Sequence, residues 1–160
     1  MTNMKYEFVE GDERVVAPGV VVKRIRALVA ISAGFFAPAV APGDMGGYVQ
    51  SEANLMVYGG AWVYGDAKVY GDARVYGDGL VFWASKVGTE NGTLTAYSAK
   101  GDAILVTRGC FLGTAAEFLA KSAKEHDERT HREYGLLLEV AKSRIDAARA
   151  STPRPIGDQP

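Results

Sequence analysis

The sequence predicts a mainly β protein whose centre is a short winding of parallel strands and whose C-terminal end is helical. Three observations predict it. Residues 57–79 nearly repeat every six positions: Val57-Tyr-Gly-Gly-Ala-Trp, Val63-Tyr-Gly-Asp-Ala-Lys, Val69-Tyr-Gly-Asp-Ala-Arg, Val75-Tyr-Gly-Asp-Gly. Self-similarity at a fixed short period means that each unit must stack on its neighbours to make a core. Upstream, β-branched runs separated by Gly11-Asp12 and Pro18-Gly19 read as antiparallel strands. Downstream, a capping box and apolar residues spaced three or four apart read as helices.

Within each hexad a branched aliphatic (Val57, Val63, Val69, Val75) is followed four residues later by a small residue (Ala61, Ala67, Ala73, Gly79). Residues two apart on a strand share a face, so Ala67 and Val69 are expected inward while Lys68 and Tyr70 face out. Gly65-Asp66, Gly71-Asp72 and Gly77-Asp78 are read as corners. Glycine accepts positive φ without steric cost, and aspartate bonds the backbone two residues on. Corner chemistry is therefore the expected role of all three aspartates.

The aliphatic, x, x, x, small, x unit of residues 57–79 resembles that of the hexapeptide-repeat, left-handed parallel β-helix family. The resemblance implies a short left-handed parallel β-helix over 47–92. Tyr58, Tyr64, Tyr70 and Tyr76 depart from the family pattern, standing where its members often carry glycine. Stacked coils would set Tyr58 on Tyr76 and Tyr64 on Phe82, an aromatic rib along an outer face. Such a rib suits burial against another subunit. The family's usual assembly is a homotrimer, which is the expectation here, with higher assembly allowed.

The flanking segments follow in order. Residues 1–46 are read as an N-terminal β cap and lead-in, with strands at 6–9 and 20–28. The uncharged stretch 27–43 holds Gly34, Pro38 and Pro42 and falls short of the roughly 20 strongly apolar residues of a spanning helix. It is read as a buried strand and loop, with no membrane partner. Residues 93–110 have two readings, a further coil in phase with Val57 or a β-hairpin turning at Lys100-Gly101-Asp102. The turn chemistry favours the hairpin. Residues 111–150 are read as two helices, the first capped by Thr114 with Glu117 three later. The second runs from about Asp127 with Tyr134, Leu137, Leu138, Ala141, Ile145 and Ala148 on one face. Residues 151–160, with three prolines, are read as a disordered tail.

At 160 residues and 17.1 kDa the chain suits one domain with appendages. Eighteen basic and 19 acidic residues leave a net charge of −1, which argues against general nucleic-acid binding. One cysteine, Cys110, excludes an internal disulfide framework. The charged N-terminal stretch does not read as a signal peptide, and the cytoplasm is the expected location.

Many hexapeptide-repeat proteins are acyltransferases that use a coil histidine as general base. Here His126 and His131 both lie in the helical part, and none precedes them, so an acyltransferase is the alternative and a non-enzyme the expectation. The two histidines are five apart, on different helix faces, and are read as solvated rather than as a metal pair. Cys110 is read as a small buried hydrophobe. No catalytic residue, metal site or cofactor is expected. Binding is expected on the outer surface instead. Lys68 and Arg74, beside Trp62, Tyr64 and Tyr70, would line clefts between subunits with rings and cations, which suits a planar anion such as a nucleotide. Arg24, Arg26 and Arg108 are further candidates.

A second resemblance covers about residues 5–148. Lys23-Arg-Ile-Arg26, then Gly43-Asp-Met-Gly-Gly47-Tyr-Val, the Tyr-Gly-Asp-Ala units and Arg108-Gly-Cys-Phe111-x-Gly-Thr114 stand in the order seen in small uncharacterised bacteriophage and prophage proteins. Residues 31–42 depart from it. That resemblance implies a phage accessory protein in the host cytoplasm. The expected function is a non-enzymatic homotrimer that sequesters a nucleotide-like host signal at subunit interfaces, as counter-defence. Two competing functions fit the same resemblance: inhibition of a host protein, and an architectural part of the phage.

Overall fold

The structure is a computed structural model that describes residues 3–31, 39–57 and 60–155, the side chain of Asp78 excepted. Strands β1 (Tyr6–Ala17), β2 (Val20–Ala27), β3 (Met45–Val49) and β4 (Lys68–Val69) form one sheet in that order. Strands β5 (Val81–Val87), β6 (Gly92–Ser98), β7 (Ile104–Arg108) and β8 (Phe111–Thr114) form a second, wholly antiparallel sheet. Helices α1 (Ala115–Glu125) and α2 (Glu128–Ser151) follow and pack on it.

The expected left-handed parallel β-helix is overturned: the described residues build two antiparallel-rich sheets and two helices, and no solenoid. Among the described residues, parallel pairing is confined to Tyr48 with Lys68, Val49 with Val69 and a bridge from Leu55 to Val75, each joining residues twenty apart. A solenoid needs the next coil to take up the backbone groups of the last one. Here the second sheet takes them. Lys68 N donates to Thr95 Oγ1 (3.1 Å), Thr107 Oγ1 donates to Lys68 O (3.0 Å) and Tyr97 Oη donates to Tyr70 O (2.8 Å). Arg74 N donates to Ser98 O at 2.8 Å, and Ala73 bridges Ala99 in the antiparallel sense. With its polar groups satisfied this way, the hexad segment leaves no open edge there for another coil.

Covering on both sides also changes where side chains go. Ala61, Val63, Ala67, Val69, Ala73 and Val75 are wholly buried. The expected outward aromatic rib is corrected: Trp62 and Tyr70 are each only 1% exposed. Tyr64 is half-buried against Trp83, ring centroids 5.8 Å apart, rather than stacked on Phe82. Tyr58, and with it the stack on Tyr76, lies outside the described residues. Two of the three expected corners have the expected glycine geometry, Gly65 and Gly71 adopting φ of 56° and 68°, a region that a Cβ disfavours; the third is corrected, since Gly77 is extended at φ −153°.

The second sheet lies between the hexad segment and the helices. β6 and β7 pair with Thr95 opposite Thr107 and Ser98 opposite Ile104 about the 3-10 turn Lys100–Asp102. Thr95, Tyr97 and Thr107 face the hexads, whereas Arg108 reaches the α2 side. Thr114 Oγ1 accepts from Glu117 N at the start of α1, and Asp127 Oδ1 accepts from Thr130 N at the start of α2. α2 buries Tyr134, Leu138, Ala141 and Ile145. At the C-terminal end Ser151 closes α2 and Arg154 pairs with Asp102, while 156–160 lie outside the described residues. No helix among the described residues is long and apolar enough to cross a membrane.

Candidate functional site

Register alone assembles a row of three polar residues across the first sheet. Arg24 on β2 lies opposite Tyr48 on β3, and Tyr48 lies opposite Lys68 on β4. Cross-strand partners share a face, so all three side chains rise on one side. A bulge in β1 between Phe8 and Glu13 then brings Asp12 over the row.

The result is a closed set of hydrogen bonds. Arg24 Nε donates to Asp12 Oδ2 at 2.6 Å, its Nη1 to Gly46 O at 2.8 Å and its Nη2 to Tyr48 Oη at 2.8 Å. Tyr48 Oη donates to Asp12 Oδ1 at 2.9 Å. Three cations approach the Tyr48 ring: the Arg24 and Arg14 guanidinium carbons at 4.4 and 5.1 Å from its centroid, and Lys68 Nζ at 5.7 Å. The ring is buried beneath by Val16, Val22 and Tyr70.

Electrostatics distinguish the members. The hydrogen bond from Arg24, then that from Tyr48, holds the Asp12 carboxyl below its ordinary range. Burial is the largest single influence and works against the Arg24 charge, but the hydrogen bonds and charge interactions with Asp12 and Tyr48 together outweigh it and raise its pKa. Burial, then the bond to Asp12, raises the Tyr48 phenol. Lys68 moves the other way. Burial pushes it down, Asp66 partly offsets this, and Arg14, Arg108 and Arg24 add to the depression. Its Nζ donates to the backbone oxygen of Asp66 at 3.2 Å, and among the described residues no carboxylate is within ion-pair distance. A half-buried ammonium ringed by arginines is a place where positive charge is in surplus.

Of the residues singled out in sequence, the structure brings Arg24 and Lys68 together here. Arg26 pairs instead with Glu7. Arg74 is spent on backbone, donating to Ala73 O at 2.9 Å and Ala53 O at 3.3 Å. Trp62 is core beside Tyr6, Tyr70 is core with its hydroxyl 3.4 Å from Phe111 O, and Tyr64 packs on Trp83. Arg108 sits toward α2, on Tyr134. Buried in the core, Trp62 and Tyr70 do not line an outer surface. Asp12, Arg14 and Tyr48 were missed by sequence reasoning. The Gly46-Gly47 pair is the signal that could have marked Tyr48, since a Cβ at Gly46 would stand 2.7 Å from both Ile25 Cγ1 and Val63 O.

Two further expectations are corrected. Cys110 is exposed, because it sits in the tight β7–β8 turn rather than on a strand face. His126 caps α1, its Nδ1 2.8 Å from Ser122 Oγ and its ring on Tyr134, so it is not a solvated surface residue. Among the described residues no group of His, Cys, Asp and Glu could hold a metal ion. Compared with family models, curated proteins and solved structures, the chain shows no significant match.

Proposed function

We propose that the protein is a non-enzymatic binding protein that captures a small phosphate-bearing, nucleotide-like ligand at the Tyr48-centred cationic cluster, in the cytoplasm of a phage-infected host. The observation that carries this reading is Lys68. Its half-buried ammonium has arginines around it and no carboxylate partner among the described residues. A phosphate oxygen would supply that partner, and charge-assisted bonds of this kind are the strong ones. Arg14 adds an exposed guanidinium plane on which a base can stack. Asp12 is already committed to Arg24 and Tyr48, so it orients the cluster more than it repels an anion. The motif order that resembles phage accessory proteins supports the setting, where sequestering a nucleotide signal would serve counter-defence.

Calorimetric titration with ATP, pyrophosphate and cyclic dinucleotides tests the reading. The expected result is binding that weakens as salt rises, with Lys68→Met and Arg14→Ala each weakening it about tenfold. Absence of heat with every phosphate compound, or binding untouched by both substitutions, would overturn it.

A further inference from the structure

On the other side of the second sheet the β7–β8 turn, the last turns of α1 and the side of α2 enclose a cleft of about 250 Å³. Its inner wall is a run of rings. Phe111 meets Phe118 at 5.2 Å and 69°, Phe118 meets Tyr134 at 4.9 Å and 88°, and His126 lies 5.4 Å from Tyr134. Edge-to-face contacts of this kind hold a rigid apolar surface open.

Polar groups converge on that wall from three elements. Arg108 comes from β7 with a side chain only 15% exposed. Its Nε donates to Tyr134 Oη at 3.2 Å, and its plane lies on Gly92, where a Cβ would stand 2.6 Å from the guanidinium carbon. Glycine at that position is thus what lets the guanidinium lie flat at the cleft. The arginine's only carboxylate among the described residues is Glu90, 3.6 Å away and 82% exposed. That is a loose partner, readily replaced by an anion held deeper. The buried Ser122 hydroxyl engages His126 Nδ1 at 2.8 Å and so fixes the imidazole ring in the wall. Lys121 lies 5.6 Å over the Phe111 ring, with Glu125 4.0 Å away.

We propose that this cleft is a second ligand site, separate from the Tyr48 cluster, that takes a small aromatic anion of the aryl phosphate or aryl carboxylate class. The ring lies against the half-buried Phe111 and His126, which Phe118 and Tyr134 back from the core, and the anionic group displaces Glu90 from Arg108. At about 250 Å³ the cleft is smaller than the usual ligand pocket of roughly 300–1,000 Å³, which limits the ligand to a single small ring and its anionic group.

The test is an NMR titration of the full chain with phenyl phosphate and, separately, benzoate, with benzyl alcohol as the neutral control. At least one anion is expected to shift the His126, Tyr134 and Gly109 resonances, with a dissociation constant of about 1 mM for so small a ligand. Arg108→Gln is expected to weaken binding about tenfold and Lys121→Gln about threefold, the loss expected for a buried and a rim cation. Lys121 is exposed, so its variant keeps the test open if Arg108→Gln does not fold. Lys68→Met is expected to leave these shifts unchanged, which separates this site from the proposed function. The proposal is overturned if neither anion shifts the cleft, if benzyl alcohol shifts it equally, or if Lys68→Met abolishes the effect.

Discussion

Replacing Trp62 by alanine is expected to cost the fold about 3–4 kcal/mol. The indole is 1% exposed, stands 6.4 Å from the Tyr6 ring and lies against Gly46, where an added Cβ would be 2.8 Å from it. Burying a tryptophan removes about 200 Å² from water, which at roughly 25 cal/mol per Å² is about 5 kcal/mol as an upper figure. Alanine retains about 1 kcal/mol of that. The indole N–H finds no partner among the described residues, and an unmade bond offsets about 1–3 kcal/mol of the gain. The cavity left behind adds a cost that brings the net back to the stated range. For a chain of this size the midpoint should fall by about 8–15 °C. Urea unfolding followed by far-ultraviolet circular dichroism measures the free-energy loss, and a thermal melt followed the same way measures the midpoint. Trp62→Phe, which keeps a ring and drops the unpaired donor, should cost about 1–2 kcal/mol and remains measurable if the alanine variant does not fold. A Trp62→Ala loss of about 0.5 kcal/mol or less, as for a surface position, would refute the placement of this ring in the core.

Other perturbations probe the joints between layers. Gly88→Ala should destabilise by about 2–4 kcal/mol, because φ is 72° and the new Cβ would be 2.0 Å from Tyr134 Oη; a neutral result in thermal melts would refute that contact. Tyr97→Phe strips the hydroxyl that donates to Tyr70 O at 2.8 Å and should cost about 1–3 kcal/mol by leaving a buried carbonyl short of a partner, read by the same urea curves. The Asp12 carboxyl is held below its ordinary value of 3.8 by Arg24 and then Tyr48. Its stabilising contribution is therefore complete above that value and lost as pH falls through the lower, folded-state one. Asp12→Asn should accordingly flatten the acid limb of the stability curve below about pH 4, and an unchanged limb would contradict the hydrogen bonds drawn to it.

Much of the local structure was legible because it depends on neighbours in sequence. Thr114 and Asp127 cap the two helices through bonds three residues away. Tyr134, Leu138, Ala141 and Ile145 share a buried face because a helix repeats every 3.6 residues. Of the candidate site, Arg24 and Lys68 were picked out, but not Tyr48 between them. What joins the three is register between strands, and that register depends on a bulge in β1 and on a parallel pairing across twenty residues. Neither leaves a local mark.

The hexads show the division most clearly. By itself the sequence determined that Val63, Ala67, Val69, Ala73 and Val75 are interior and that Gly65 and Gly71 turn the chain, since strand alternation and glycine's freedom act within a few residues. Only the tertiary structure decided what lies on the other side. Alternation says that successive side chains point opposite ways, not that the second side meets water. Here Thr95, Tyr97, Ser98 and Thr107 of the second sheet satisfy the hexad backbone, so Tyr70 becomes core and no further coil is added among the described residues, while Trp62 is buried against Tyr6 and Gly46 of the first sheet. The same covering leaves the outward binding chemistry to the first sheet, where Arg14, Arg24 and Lys68 gather around one tyrosine.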